Sequence, residues 1–195
     1  MIKDTLVFVD DGFFGLVKKH FSKDGKPKKY LQTFRNICKK ENLNLKQLYV
    51  YTAPPYQSAK PTKREDFLMS RYQNMTRMLR KKKWVTLGEG RCQRYFNRDG
   101  KEDFTQKGVD ALIIMDMYDV KETYPDIKKI ILIASDSDFV PVIERMKRKD
   151  FEVIVYTYFD RKRKSKFSTS NHLLRVASRW VKLKGEDFEW EVNYS

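Results

Sequence analysis

Two cysteines and two histidines in 195 residues close off several classes of protein. Cys38 and Cys92 are too few for a disulfide scaffold, and they read as free thiols in a reducing compartment. Together with His20 and His172 they show no ligand spacing, which argues against a structural zinc site. No apolar run approaches the roughly 20 residues needed to cross a bilayer. The opening Met1-Ile2-Lys3-Asp4-Thr5 enters a strand without the pattern of a signal peptide. A cytoplasmic location with no membrane partner is therefore expected. Glycine and proline are sparse, at eight and six, and no linker rich in Gly, Ser or Pro breaks the chain. Nor does it repeat. Its length suits one domain with a real core, and 41% hydrophobic and 14% aromatic content excludes a disordered chain.

Acids are also in deficit: 26 stand against 41 Lys and Arg, for a net charge of +15. Such a surplus favours a polyanionic partner, most often nucleic acid. The charge is clustered. Arg80-Lys81-Lys82-Lys83 and Arg161-Lys162-Arg163-Lys164-Ser165-Lys166 are local runs, with Arg91, Arg94 and Arg98 between them. Tyr49, Tyr51, Tyr56, Tyr72 and Tyr95 are interspersed with this material. They suit core or rim packing better than base stacking.

Hydrophobic periodicity predicts strands over 5–10, 47–52, 84–87, 91–96, 130–134, 151–158 and 180–183. It predicts helices over 28–41, 62–83, 109–120, 139–149 and 170–177. Thr62 with Glu65 three residues on forms a capping box for the second of these. Phe67, Leu68, Met75, Met78 and Leu79 supply its apolar stripe. Asn97 to Gly100 reads as a turn, and so does Asp11 beside Gly12. Strands alternating with helices imply right-handed crossovers. The fold class is α/β: a single three-layer αβα domain over 1–184, with a mainly parallel central sheet. Residues 185–195 form an acidic, aromatic extension.

The strongest chemical signal is Lys129-Ile130-Ile131-Leu132-Ile133-Ala134-Ser135-Asp136-Ser137-Asp138-Phe139. A strand buried on both faces ends abruptly in two carboxylates, at the edge where open α/β sheets place their ligands. Such a pair repels itself unless a cation or a proton is shared. Asp10 ends the first strand in the same way. Asp110 follows Lys107-Gly108-Val109 at the start of a helix. Hard divalent cations take oxygen ligands and keep several waters, so two or three of these acids suffice to hold Mg2+ or Mn2+. Helix chemistry offers a plainer role for some of them. Ser137 or Asp138 suits the cap of the helix near Phe139, and Asp110 suits a helix N-terminus. Asp116, about 120° around the helix from Asp110, does not belong to the same site.

Taken in order, Val9-Asp10-Asp11-Gly12, Lys107-Gly108-Val109-Asp110 and Ser135-Asp136-Ser137-Asp138-Phe139-Val140-Pro141 resemble the NYN domain family, which is similar to the LabA-like and DUF88 proteins. The likeness continues to Ser170, Leu173, Ala177 and Trp180. It implies a PIN-like nuclease fold and a metal-dependent endoribonuclease. Asp10, Asp110, Asp136 and Asp138 would be its catalytic and metal-binding acids, with Ser135 and Ser137 in support. Lys107 would neutralise a phosphate, and Arg80, Lys81, Lys82, Lys83, Arg161, Lys162, Arg163 and Lys164 would guide the backbone of a nucleic acid, RNA before DNA. The protein would act as a monomer or homodimer. The chain departs from the family's pattern at Phe13, where an Asn is usual, and at Ser178, where an Asp is often found. The first departure supports an alternative: a non-catalytic nucleic-acid-binding module that keeps the fold.

Overall fold

The computed structural model describes residues 2–22, 30–97, 99–160, 165 and 167–188. Its centre is a six-stranded sheet in the order β3-β2-β1-β6-β7-β8. The strands are β1 (Lys3–Asp10), β2 (Leu43–Thr52), β3 (Val85–Glu89), β6 (Lys129–Ile133), β7 (Glu152–Thr157) and β8 (Arg179–Lys182). Every pairing between them is parallel. Two further strands, β4 (Arg91–Phe96) and β5 (Glu102–Lys107), form a separate antiparallel hairpin. The expected α/β architecture with a parallel central sheet is what the chain adopts.

The sheet is parallel because its strands are apolar on both faces and need covering on both. In β1, Leu6 and Phe8 face one core while Val7 and Val9 face the other. In β6, Ile130 and Leu132 alternate with Ile131 and Ile133 in the same way. On one side pack α1 (Asp11–Phe21), α2 (Tyr30–Lys40) and α3 (Lys63–Arg80), through residues such as Phe14, Val17, Phe34, Ile37 and Leu79. On the other pack α4 (Val109–Tyr118), α6 (Val140–Arg148) and α7 (Asn171–Val176), through Ile113, Met117, Ile143, Met146 and Leu173. A single turn, α5 (Val120–Thr123), follows α4.

The chain winds outward from β1 to β2 and β3, then returns to the other side of β1 for β6, β7 and β8. The winding reverses between β1 and β6. In open α/β sheets the crevice at such a reversal, beyond the carboxyl ends of the strands, is where ligands bind.

Three segments depart from the sequence expectations. Asp11 is not a turn residue but the first residue of α1. The weak helix formers Gly12 and Gly15 hide this helix in the sequence, and burial of Phe13, Phe14 and Val17 holds it in place. The strand β5 was not anticipated, because Glu102-Asp103-Phe104-Thr105-Gln106-Lys107 has no clean apolar alternation. It exists by pairing with β4. The apolar stripe of α3 is only partly buried: Leu79 is enclosed, whereas Phe67 and Leu68 remain 59% and 40% exposed. Tyr72 of α3 bonds Glu89, the last residue of β3, so the turns of α3 before Tyr72 run past the end of the sheet.

Of the extension expected over 185–195, Gly185–Phe188 is a 310 turn whose Phe188 is buried against Phe14 and Phe21. The rest lies outside the described residues.

Candidate active site at the reversal point of the sheet

Asp10 and Asp136 flank the reversal, one as the last residue of β1 and one just beyond β6. Val9 pairs with Ile133, so Asp10 stands level with Ala134 and Asp136 two residues further out. Both acids are helix caps. Asp10 Oδ1 accepts from the Phe13 backbone N–H at 3.2 Å and starts α1. Asp136 Oδ1 accepts from the Asp138 N–H at 3.2 Å and starts the 310 turn Ser137–Phe139 that leads into α6. The capping role considered for Ser137 or Asp138 thus falls on Asp136. A cap of this kind contributes about 1 kcal/mol, and it fixes the direction of each carboxylate while committing only one of its two oxygens. The Ser137 hydroxyl lies 3.3 Å from the same Asp136 oxygen. Ser135 is half-buried, and its carbonyl accepts from the Ser170 N–H at 3.1 Å, which ties the start of α7 to this loop.

Asp110 reaches the crevice from α4. Gly108 makes this possible by adopting φ +82°, a left-handed conformation that costs glycine little. It turns the chain from β5 into α4 and leaves Asp110 in the first helical turn. Gly90 is needed for a different reason. A Cβ there would come within 2.5 Å of the Lys107 carbonyl oxygen, so only glycine lets the end of β3 pass this close to the end of β5. Lys107 is exposed beside the crevice.

Electrostatics link the four acids into one neighbourhood. Burial pushes the Asp10 carboxyl up from 3.8 to about 6, with the charge of Asp110 adding to it and the Phe13 N–H opposing. Burial also raises Asp110, with Asp136 and Asp138 adding to it. A divalent cation relieves this mutual repulsion. Among the described residues no three Asp, Glu, His or Cys side chains converge on one metal position. Magnesium commonly takes one or two carboxylates, waters and substrate phosphate rather than a cage of protein ligands, and this all-oxygen set fits that mode. The N-termini of α1, α4 and α6 open onto the same edge, where their partial positive charge favours anions.

Asp11 was not expected to matter. Its carboxylate is held by the Tyr30 hydroxyl at 2.6 Å, and burial raises it above the usual range. Nothing in the Asp-Gly dipeptide signalled this, because Tyr30 comes from another helix. Asp116 stands apart from Asp110 as expected, accepting from the Tyr51 hydroxyl at 2.6 Å.

The basic residues are not all at this edge. Asp10, Tyr51 and Gly88 are level across the sheet, whereas Lys81, Lys82 and Lys83 precede β3 at its opposite end and only the Arg80 side chain reaches back to the carboxyl end of β3. Arg80 is paired with Glu89; the three lysines are exposed. Arg161, Lys162, Arg163 and Lys164 lie outside the described residues. Phe13 is in the core, so only its backbone N–H faces Asp10. Ser178 bonds Val153 at the start of β7, far from the crevice, so a residue there does not reach the acids.

The NYN domain family matches residues 13–184. The chain belongs to the NYN domain family. NYN domains have a PIN-like nuclease fold, and nucleases of this kind typically use divalent metals. A solved structure, that of a protein of unknown function from Vibrio parahaemolyticus, superposes with a TM-score of 0.59 at 18% identity, over 96% of both chains. That likeness concerns the fold alone. No curated protein matches the chain. Among the described residues no helix is long and apolar enough to cross a membrane.

Proposed function

We propose that this NYN domain is a metal-dependent endoribonuclease that hydrolyses RNA phosphodiester bonds at the crevice between β1 and β6. The observation that carries the reading is the placement of Asp10 and Asp136 as caps on either side of the sheet's reversal, with Asp110 in electrostatic contact with both flanks.

Asp10, Asp110 and Asp136 would hold one or two Mg2+ or Mn2+ ions, Asp10 and Asp136 through the oxygens their caps leave uncommitted and Asp110 from the first turn of α4. When bound, such an ion lowers the pKa of a water and offsets charge on phosphate oxygens. Asp138, exposed and two residues on from Asp136, would orient the attacking water or take its proton. Lys107 and the N-termini of α1, α4 and α6 favour the phosphate at this edge. Lys81, Lys82 and Lys83 attract the polyanion from a distance without reading its sequence. Arg161, Lys162, Arg163 and Lys164 are assigned the same role on charge alone.

Asp136→Asn is the informative variant, because asparagine caps a helix as well as aspartate does while the negative charge is removed. Cleavage of labelled RNA in Mg2+ or Mn2+ is expected to fall at least about 100-fold with the melting temperature retained, since metal-assisted charge stabilisation supplies several kcal/mol. Equal cleavage by wild type and variant would refute the assignment. The second reading, a binding module without turnover, draws on Phe13, whose burial leaves no polar side chain where the family places Asn. RNA binding that survives both EDTA and Asp136→Asn, with no cleavage under any condition, would select it.

A further inference from the structure

The hairpin β4–β5 leaves the sheet at its carboxyl edge, runs out and returns to α4. The first turns of α3 rise on the same side. Between them lies a groove of about 600 Å3, a volume in the range of small-molecule sites. One wall is Leu68 and Tyr72 of α3, the other Phe104 of β5, which stays 45% exposed. Phe104 is braced from behind. Its ring lies 5.2 Å from that of Tyr56, over which the Arg94 guanidinium stands at 5.2 Å. A large aromatic that packs on one neighbouring ring yet stays uncovered offers a ready stacking face.

The groove also carries charge. Lys18 and Arg71 line it; burial lowers the Lys18 pKa, the nearby Asp11 carboxylate opposes that, and the positive charge of Arg71 adds to it. Among the described residues neither makes an ion pair, Asp11 acting on Lys18 only from a distance, so two cations line one space suited to an anion. The groove is continuous with the acids. Gln106 lines it, and its Oε1 lies 2.8 Å from the point a Cβ on Gly12 would occupy, while Asp10 Oδ1 lies 3.2 Å from the same point.

We propose that this groove seats one unpaired nucleotide of a single-stranded RNA, its base on Phe104 and its phosphate between Lys18 and Arg71, next to the bond presented to Asp10. The proposal rests on the nuclease reading for its substrate and restricts that substrate to single strands. A base within a duplex has both faces stacked and cannot lie on Phe104, whereas the unstacked bases of single strands are bound on such platforms. An apolar protein segment would use the same walls but has no call on Lys18 and Arg71.

The test measures binding with cleavage switched off. Wild type, Phe104→Ala and Arg71→Gln are titrated in EDTA against a fluorescein-labelled eight-nucleotide oligouridine and against an RNA duplex of equal length. Wild type is expected to prefer the single strand. Phe104→Ala should weaken that binding about 10-fold, as loss of one stacked base does, and leave duplex binding unchanged. Arg71→Gln should reduce the slope of log affinity against log salt by about one contact. Single-strand affinity unchanged in Phe104→Ala, or equal losses on single strand and duplex, would overturn the proposal. A protein that binds as described but never cleaves RNA in Mg2+ or Mn2+ sinks the nuclease reading and leaves the groove standing.

Discussion

Strand β6 and the hairpin β4–β5 sit on opposite sides of the same question. In β6, Ile130, Ile131, Leu132 and Ile133 have no exposed surface, and polarity begins only after Ala134. In the hairpin nearly every residue is exposed, including Phe96 and Phe104. The first is determined by packing, which sets where the chain leaves the sheet for Asp136. The second contributes little to the core, so its aromatic and basic residues call for an explanation outside folding. The acids Asp10 and Asp136 thus stand at or just past the ends of the most deeply buried strands, while what lies beside them is exposed.

Stability measurements can break this contrast. Leu132→Ala is expected to cost about 2–5 kcal/mol by transfer and cavity terms, read as a lowered denaturant midpoint. A loss below about 1 kcal/mol would mean that β6 is not the tightly packed seat described.

Asp10→Asn should move stability the other way. Below pH 3.8 Asp10 is protonated in both folded and unfolded chains and costs nothing. Between 3.8 and about 6 the unfolded chain ionises first, so the native state loses stability as pH rises. Above that window the full cost, about 3 kcal/mol, is carried. Without metal the variant is therefore expected to be more stable than wild type at neutral pH by up to about 3 kcal/mol, and equal to it in acid. Added Mg2+ should stabilise wild type, by mass action on the native state, more than it stabilises the variant. A gain that persists unchanged in acid would show that ionisation is not its source.

The smallest effect is expected at the hairpin. Phe104→Ala should change the free energy of unfolding by no more than about 0.5 kcal/mol, as exposed substitutions do. A larger loss would make Phe104 a packing residue and weaken the contrast at its other end.

The same contrast explains what could be read from the sequence. The β6 block announces itself, because burial on both faces leaves an unmistakable apolar run with a sharp end. The capping box at Thr62 and Glu65 is present in full, since its partners lie within one turn. The Lys107–Asp110 segment was legible as an acid at a helix start, and only its likeness to the NYN pattern set it apart from an ordinary helix N-terminus. What escaped depends on distant partners. Helix α1 starts with a turn-like Asp-Gly and is secured by tertiary packing. Strand β5 is a strand only opposite β4. Phe67 and Leu68 follow helical spacing faithfully, but periodicity does not reveal that α3 outruns the sheet it lies on. Lys81, Lys82 and Lys83 were rightly seen as a cluster, yet charge counts do not say at which end of a strand it falls.

One consequence of the Asp10 cap concerns how this family can drift. The oxygen that Asp10 commits is met by a main-chain amide, and every residue except proline brings one to position 13. The side chain there answers to the core instead, and in this chain the core has taken a phenylalanine. Replacement at that position is therefore silent towards the aim of the acid, which allows a lineage to change its Asn without first abandoning the geometry of the crevice.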